Sequence, residues 1–202
     1  MNELQQDRTL GLLNAIEENS QASQRELAKH TGVALGLVNS YIKRCVKKGW
    51  IKISDAPANR YLYYLTPQGF IEKARLSARY LSDSFAFYRQ AAASCEDLLD
   101  FLVLHNKKRI VIAGASNLAE IFILKSLEKE LSIIAVYDPN YIGKRFLTTP
   151  VSNIWHIDDE IDAVVLCAID QPNKIYNNLV QKVKVEDVHV PDILVRWFGC
   201  KL

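Results

Sequence analysis

Cysteine is scarce and scattered: Cys45, Cys95, Cys167 and Cys200 form no CxxC pair, so the spacing of a zinc site or a redox dithiol is missing. Cys45 and Cys167 sit in apolar runs and read as small buried hydrophobes. Nothing near Cys95 or Cys200 is suited to depress a thiol pKa. The four histidines, His30, His105, His156 and His189, stand at no metal-ligand spacing and beside no nucleophile, so neither a metal nor a catalytic set is expected. No apolar run approaches 18 residues and no charged-then-apolar leader opens the chain, which argues for a cytoplasmic protein without a membrane span. Disorder is excluded as well. With 49% hydrophobic residues, 202 positions suffice for one large domain or two small ones.

What the chain does have begins at Ser23. Ser23-Gln24-Arg25-Glu26 is a capping box, so a helix starts at Gln24. Leu27 and Ala28 supply its apolar side, and Thr31-Gly32-Val33 ends it, with Gly32 free to turn left-handed. A second helix is expected over Leu35 to Lys48, with Val38, Ile42, Cys45 and Val46 inward and Gly49 closing it. Its outward set is Leu37, Asn39, Ser40, Lys43, Arg44 and Lys47. Trp50 to Ile53 reads as a strand, Ser54 to Arg60 as a polar loop, and Tyr61 to Leu65 as the returning strand. The order is that of a helix-turn-helix followed by a β-hairpin wing.

Charge favours the same reading. Between Arg25 and Arg60 there are eight basic residues and two acidic ones, a local +6 in a chain that totals +2. Amides and hydroxyls that can bond to base edges, mixed with cations for phosphates, are what a major-groove helix needs. The expected double-stranded DNA contacts are Arg25, Leu37, Asn39, Ser40, Lys43, Arg44, Lys47 and Arg60, with Asn39 foremost for a base and Arg60 at the wing tip.

The segments Arg25-Glu26-Leu27-Ala28, Gly32-Val33, Val38-Asn39, Lys48-Gly49-Trp50-Ile51-Lys52 and Leu65-Thr66-Pro67-Gln68-Gly69-Phe70 resemble the winged helix of MarR-type bacterial transcription regulators. They are most similar to the small members associated with exopolysaccharide gene clusters. The resemblance covers about the first third of the chain. It departs at Ala34, where such proteins often carry a capping serine.

Before the helix-turn-helix, Glu3 to Glu18 forms a scaffold helix with Leu4, Leu10, Leu13 and Ile16 as its buried stripe. After the wing, Thr66 and Pro67 start a helix running to about Ala92. Phe70, Ala74, Leu81, Phe85 and Tyr88 make an apolar seam on it suited to dimerisation. Ser94 with Asp97 signals a further short helix, Glu96 to His105, with Leu98, Leu99, Leu102 and Val103 inward.

From Arg109 the pattern alternates strand and helix. Strands are expected at Ile110–Ala113, Leu131–Tyr137, Ala163–Ala168 and Val188–Val190, and helices at Leu118–Leu127 and Lys174–Lys182. Ile193–Phe198 ends the chain as helix or strand. Strands so continuously apolar belong in a parallel sheet covered on both faces. The turn Gly114-Ala115-Ser116-Asn117-Leu118-Ala119 keeps the first glycine and last alanine of the dinucleotide fingerprint, with Ser116 in the central position. Asp138 stands where a ribose hydroxyl is bound, and Gly143-Lys144-Arg145 offers a grip on phosphate. Candidate ligand contacts are therefore Gly114, Ala115, Ser116, Asn117, Leu118, Asp138 and Lys144.

Lys108 through Ser116, Ala135-Val136-Tyr137-Asp138-Pro139, and Ile142 through Val151 look like the Rossmann-type domain preceding bacterial sugar-nucleotide dehydratases and sugar acyltransferases. That resemblance implies a module of nucleotide- or CoA-binding type. Winged helix followed by Rossmann domain is also similar to the Rex redox repressors, which sense NADH. The expected architecture is thus an α+β winged helix-turn-helix domain (1–66), a helical linker and dimerisation segment (67–106), and an α/β Rossmann-like sensing domain with a mostly parallel sheet (107–202). The expected function is a non-enzymatic, homodimeric regulator responding to a nucleotide or sugar nucleotide, with NAD(H) a weaker candidate. The alternatives are a Rossmann-domain enzyme or a non-sensing dimerisation module joined to the DNA-binding domain.

Overall fold

Helix α1 (Glu3–Glu18) is followed by α2 (Gln24–Thr31), α3 (Leu35–Lys47) and the antiparallel hairpin β1 (Ile51–Ala56) and β2 (Arg60–Leu65) in the computed structural model. The structure describes residues 3–56, 60–141, 143–153, 155 and 161–199, with backbone alone for Glu3, Ala56, Arg60 and Phe198. The chain divides into two units, Met1–Phe85 and Ala86–Leu202.

In the first unit, Leu10, Leu13 and Ile16 of α1 close on Leu27 of α2, Val38, Ile42 and Cys45 of α3, and Trp50, Ile51 and Tyr63 of the hairpin. The apolar periodicity of each element explains this core, with two corrections. Leu4, expected in the α1 stripe, is exposed; so is Val46, expected in α3. The buried α3 face is Val38, Tyr41, Ile42 and Cys45, and Val46 falls one step beyond it. Tyr41, not assigned to this face, is buried between Val38 and Ile42.

The wing differs from expectation too. Ser54, Asp55 and Ala56 extend β1, and Arg60 opens β2 opposite Ala56, because ladder pairing carries polar residues that composition alone assigns to a loop. Residues 57–59 lie outside the described residues.

Helix α4 spans Pro67–Leu104, 38 residues. The break expected before Glu96 does not occur. Ala91, Ala92, Cys95, Leu99 and Leu102 continue one buried stripe, and Ser94 is not a cap, since its hydroxyl accepts a hydrogen bond from the Ile193 amide at 3.0 Å. Val103, expected inward, is exposed. At the other end, a Cβ on Gly69 would lie 2.0 Å from the Trp50 carbonyl oxygen, so only glycine lets α4 start this close to the hairpin. The seam residues Phe70, Ala74, Leu81, Phe85 and Tyr88 are all exposed.

The second unit is built on a sheet of β3 (Arg109–Ala113), β4 (Ser132–Tyr137), β5 (Arg145–Phe146), β6 (Thr149–Ser152), β7 (Ala163–Leu166) and β8 (Val188–His189) in the order β5-β6-β4-β3-β7-β8. All neighbours pair parallel except β5 with β6. Helices α5 (Asn117–Ser126), α6 (Pro172–Leu179) and α7 (Asp192–Phe198) complete it. The core strands follow their apolar runs. The short hairpin of β5 and β6 is not signalled by the sequence, because Pro150 and the surrounding polar residues mask its alternation. It also places Arg145, the last residue of the stretch offered as a phosphate grip, at the start of β5.

Candidate nucleic-acid interface and the glycine turn

The helix-turn-helix is set by its caps. The Ser23 hydroxyl accepts from the Glu26 amide at 3.2 Å while a Glu26 carboxylate oxygen accepts from the Ser23 amide at 2.7 Å, completing the expected box. Gly32 ends α2 at φ 64°, the left-handed geometry foreseen for it. Ala34 precedes α3 with no side-chain cap; its carbonyl accepts from the Leu37 and Val38 amides, and Val38 is the first buried side chain of the helix.

With Val38, Tyr41, Ile42 and Cys45 inward, Gly36, Ser40, Lys43 and Lys47 form the crest of α3 at helical spacing of four, three and four, and all are exposed. Leu37 and Arg44 flank one side, Asn39 and Val46 the other. Asn39 is half-buried, less prominent than its sequence assignment implies. The Ser40 hydroxyl donates to the Gly36 carbonyl at 3.0 Å, leaving its oxygen to accept. Arg44 donates to Gln5 of α1 at 3.4 Å. A groove of about 260 Å³ lies along this flank, lined by Gln5, Leu37, Ser40, Tyr41 and Arg44.

A Cβ at Gly36 would meet nothing within 4 Å. The protein's own packing gives no reason for the glycine, and its bare backbone opens the crest to close approach by another molecule. Lys43 and Lys47 stand exposed about two and three turns further along the crest, and Lys48 rests 4.3 Å from the Trp50 ring centroid. Arg25 on α2 is also exposed. Of the acids in this segment, Glu26 is engaged in its cap and Asp55 is on the wing. Burial pushes the Cys45 thiol up to about 11, which makes it a core side chain and not a reactive one.

The wing is docked on the helices by residues that sequence reasoning left as strand filler. Tyr63 is buried; its amide donates to the Ser20 carbonyl at 2.9 Å, and its hydroxyl accepts from Gln24 at 3.1 Å. Arg60 is placed by its backbone at the start of β2, and its side chain is outside the described part.

In the second unit the structure brings Gly114, Ala115, Ser116 and Asp138 together. The Ala115 amide donates to Asp138 Oδ2 at 2.8 Å, and the Asn140 amide to Oδ1 at 2.9 Å. Ser116 has ordinary extended backbone, φ −139°. Its hydroxyl accepts from the Leu118 and Ala119 amides and donates to the Cys167 carbonyl at 2.6 Å. The amides of Ser116 and Asn117 meet no acceptor among the described residues. Gly114 has φ 103°, and a Cβ there would lie 2.5 Å from Ala168 backbone, so this glycine serves the contact between the loops after β3 and β7. Leu118 is buried in the core. Lys144 is exposed and hydrogen-bonds to none of this set among the described residues. Beside the turn, Phe87, Ala91, Asn117, Leu118, Ile121, Ile169 and Ile193 line an apolar cavity of about 90 Å³.

Two free amides at the start of a ten-residue helix favour an anion, and Asp138 retains lone pairs for a diol. Among the described residues no group of His, Cys, Asp or Glu could hold a metal ion, and no helix is long and apolar enough to cross a membrane.

Comparison with known proteins places a winged helix-turn-helix DNA-binding model on residues 5–52. This chain carries such a domain at its N-terminus, followed by an α/β region with a mostly parallel sheet. No curated protein matches the chain. Among solved structures, the PcaV transcriptional regulator from Streptomyces coelicolor is similar at TM-score 0.40 and 21% identity, over 48% of this chain and 74% of that one. In complex with its natural ligand it is similar at TM-score 0.37 and 22% identity, over 39% of this chain; the match spans only 57% of PcaV. Human N-acetylserotonin methyltransferase in complex with SAM is similar at TM-score 0.31 and 12% identity, over 93% of this chain and 75% of that one.

Proposed function

We propose that this chain is a homodimeric, non-enzymatic transcription regulator in which α3 enters the major groove and the wing contacts the adjacent backbone or minor groove. The observation that carries the reading is the α3 crest, where the bare backbone of Gly36, then Ser40, Lys43 and Lys47, follow one another along a helix whose other face is packed into the core. Cations there neutralise phosphates, while Ser40 and the flanking Asn39 offer hydrogen bonds to base edges. For a two-fold dimer, half-sites about one helical turn apart, ~34 Å, or a multiple of it are expected.

The α/β unit is assigned a nucleotide-type metabolite, a sugar nucleotide before NAD(H), held at the Ser116 and Asn117 amides and by Asp138. A ligand that binds one arrangement of the protein better than another shifts operator affinity by that difference. The sequence resemblance of both halves to exopolysaccharide-associated proteins supports polysaccharide genes as the target. A second reading, a purely structural α/β unit, is favoured by the bonds that Ser116 and Asp138 already make within the turn.

Fluorescence anisotropy of the protein on the DNA upstream of its own gene and on scrambled DNA, at several salt concentrations, tests the first part. Tight, salt-sensitive binding that prefers the upstream DNA supports a regulator. Weak binding without preference sinks it. Repeating the titration with UDP-sugars and NADH separates sensing from the structural reading, which predicts no change with either.

A further inference from the structure

A recognition helix lying in the major groove meets base edges with its N-terminal residues. On α3 these residues differ in kind from the rest of the outward face. Lys43, Arg44 and Lys47 are exposed in its C-terminal half, whereas the exposed positions of the first turn are Leu35, Gly36 and Leu37. Leu35 is 45% and Leu37 38% exposed. None of the three has a side chain that can form a hydrogen bond, so this turn has only apolar contact to offer a base.

Helical spacing determines what stands beside Leu37. It shares a flank of α3 with Arg44, seven residues on, and neighbours Ser40, three residues on. The groove of about 260 Å³ along that flank has Leu37 in its wall with Gln5, Ser40, Tyr41 and Arg44, and none of them closes over the leucine. On its other side Gly36 raises no side chain, and a Cβ there would meet nothing within 4 Å. The Ser40 hydroxyl gives its proton to the Gly36 carbonyl at 3.0 Å, so toward a base it can only accept.

On major-groove edges the apolar group is the C5-methyl of thymine, and the donors are the amino groups of adenine and cytosine. A leucine beside an accepting hydroxyl therefore matches a methyl beside an amine. An A·T pair carries both on one edge; a G·C pair has the amine without the methyl. Residues at i and i+3 of a helix stand about 5–6 Å apart between Cβ atoms, within the span of one such edge. We infer that Leu37 determines specificity by packing on a thymine methyl in each half-site, while Ser40 accepts from the amine of the adenine paired with it. This rests on the reading of α3 as a major-groove helix and names what that helix selects.

The test is a two-by-two comparison of protein and DNA. The full chain selects duplexes from a random pool, and the best is remade with deoxyuridine for every thymine, which removes the methyls and keeps the base pairing. Anisotropy is read for wild type and Leu37→Ala on both duplexes, with circular dichroism to check that the variant is folded. Wild type is expected to lose about fourfold in affinity per half-site on deoxyuridine, the effect of leaving one methyl in water. A scrambled duplex with the same replacement should show no loss. Leu37→Ala is expected to bind the thymine duplex at least as weakly as wild type binds the deoxyuridine one, and to lose no more than about 1.5-fold further on deoxyuridine. Replacing thymines singly should place the loss at one position in each half-site. Purine in place of the adenine opposite, which lacks the amine, should weaken wild type and not Ser40→Ala. Indifference of wild type to deoxyuridine, losses from Leu37→Ala and deoxyuridine that simply multiply, or a purine loss that persists in Ser40→Ala overturns the proposal. A selection that enriches no sequence removes the regulator and this contact with it, whereas an enriched sequence that tolerates deoxyuridine removes the contact alone.

Discussion

Gln24, the first residue of α2, donates a 3.1 Å hydrogen bond to the hydroxyl of Tyr63 on the inner strand of the wing. The same tyrosine is 1% exposed and its amide is bonded to Ser20. The hairpin is therefore tied to both ends of the α1–α2 connection, and the aim of the wing follows the helix-turn-helix. Tyr63→Phe keeps the ring and removes one hydrogen bond, so a loss of about 1 kcal/mol in urea denaturation is expected. Tyr63→Ala also empties the core beneath the wing and is expected to cost about 3–5 kcal/mol. Equal effects from the two variants would show that the ring is not what holds the strand.

On the α3 crest, Lys43→Ala is expected to weaken binding to operator and scrambled DNA alike and to reduce the salt slope by about 1, since a phosphate contact carries no sequence information. Asn39→Ala is expected to relax sequence preference with little change in that slope. Anisotropy titrations at three or more salt concentrations separate the two. If both variants bind like wild type, α3 does not face the DNA in the way described.

The caps at Ser23 and Gly32 were legible in sequence because capping is local chemistry: a hydroxyl, a carboxylate three residues on, and a glycine. Ser94 carried the same local signal, yet helix α4 runs through it, because the buried stripe from Ala91 to Leu102 outweighs one cap and the serine finds a tertiary partner in Ile193. The requirement for Gly69 was invisible because it depends on Trp50, close in space but not in sequence. For the candidate sites, the residue types on α3 and the pairing of Asp138 with the glycine turn were readable. The half-burial of Asn39 and the inward use of the Ser116 hydroxyl were not, since both depend on which way a side chain turns.

His189 gives the second unit a pH dependence. Its Nε2 is buried without a hydrogen-bond partner among the described residues, and the Phe101 ring lies against both His189 and His105, at 5.5 and 4.0 Å between centroids. Burial, with Lys107 and His105 adding positive charge against the opposing Asp187, holds the imidazole below its ordinary value of 6.5. The folded protein binds this proton less readily than the unfolded chain. The stability it contributes is complete above pH 6.5 and is lost as pH falls toward the lower folded value. Urea midpoints measured between about pH 7.5 and 5.5 should drop more for wild type than for His189→Gln. Parallel curves would mean that the imidazole titrates alike in both states.

Gly114 separates the two uses of a glycine turn. If its role were to admit a phosphate, Gly114→Ala would impair ligand binding and leave the fold intact. The structure instead places the missing side chain 2.5 Å from Ala168 backbone, at a φ of 103° that L residues rarely adopt. Strain of this kind costs of order 1–3 kcal/mol before any steric shift, and the Cys167 and Ala168 amides bonded to Ala113 lie next to the collision. Gly114→Ala is thus expected to lower the stability of the α/β unit by more than ~2 kcal/mol in the absence of any nucleotide, read as an earlier thermal transition. Asp138→Asn is the contrasting change, because it keeps shape and removes charge. One of the Ala115 and Asn140 amides then faces an NH2 donor in place of an oxygen, so a loss of about 1–3 kcal/mol is expected, together with the loss of any effect of a nucleotide on DNA affinity. A stable Gly114→Ala protein would assign the glycine to a ligand after all, since the contact with Ala168 would then be dispensable.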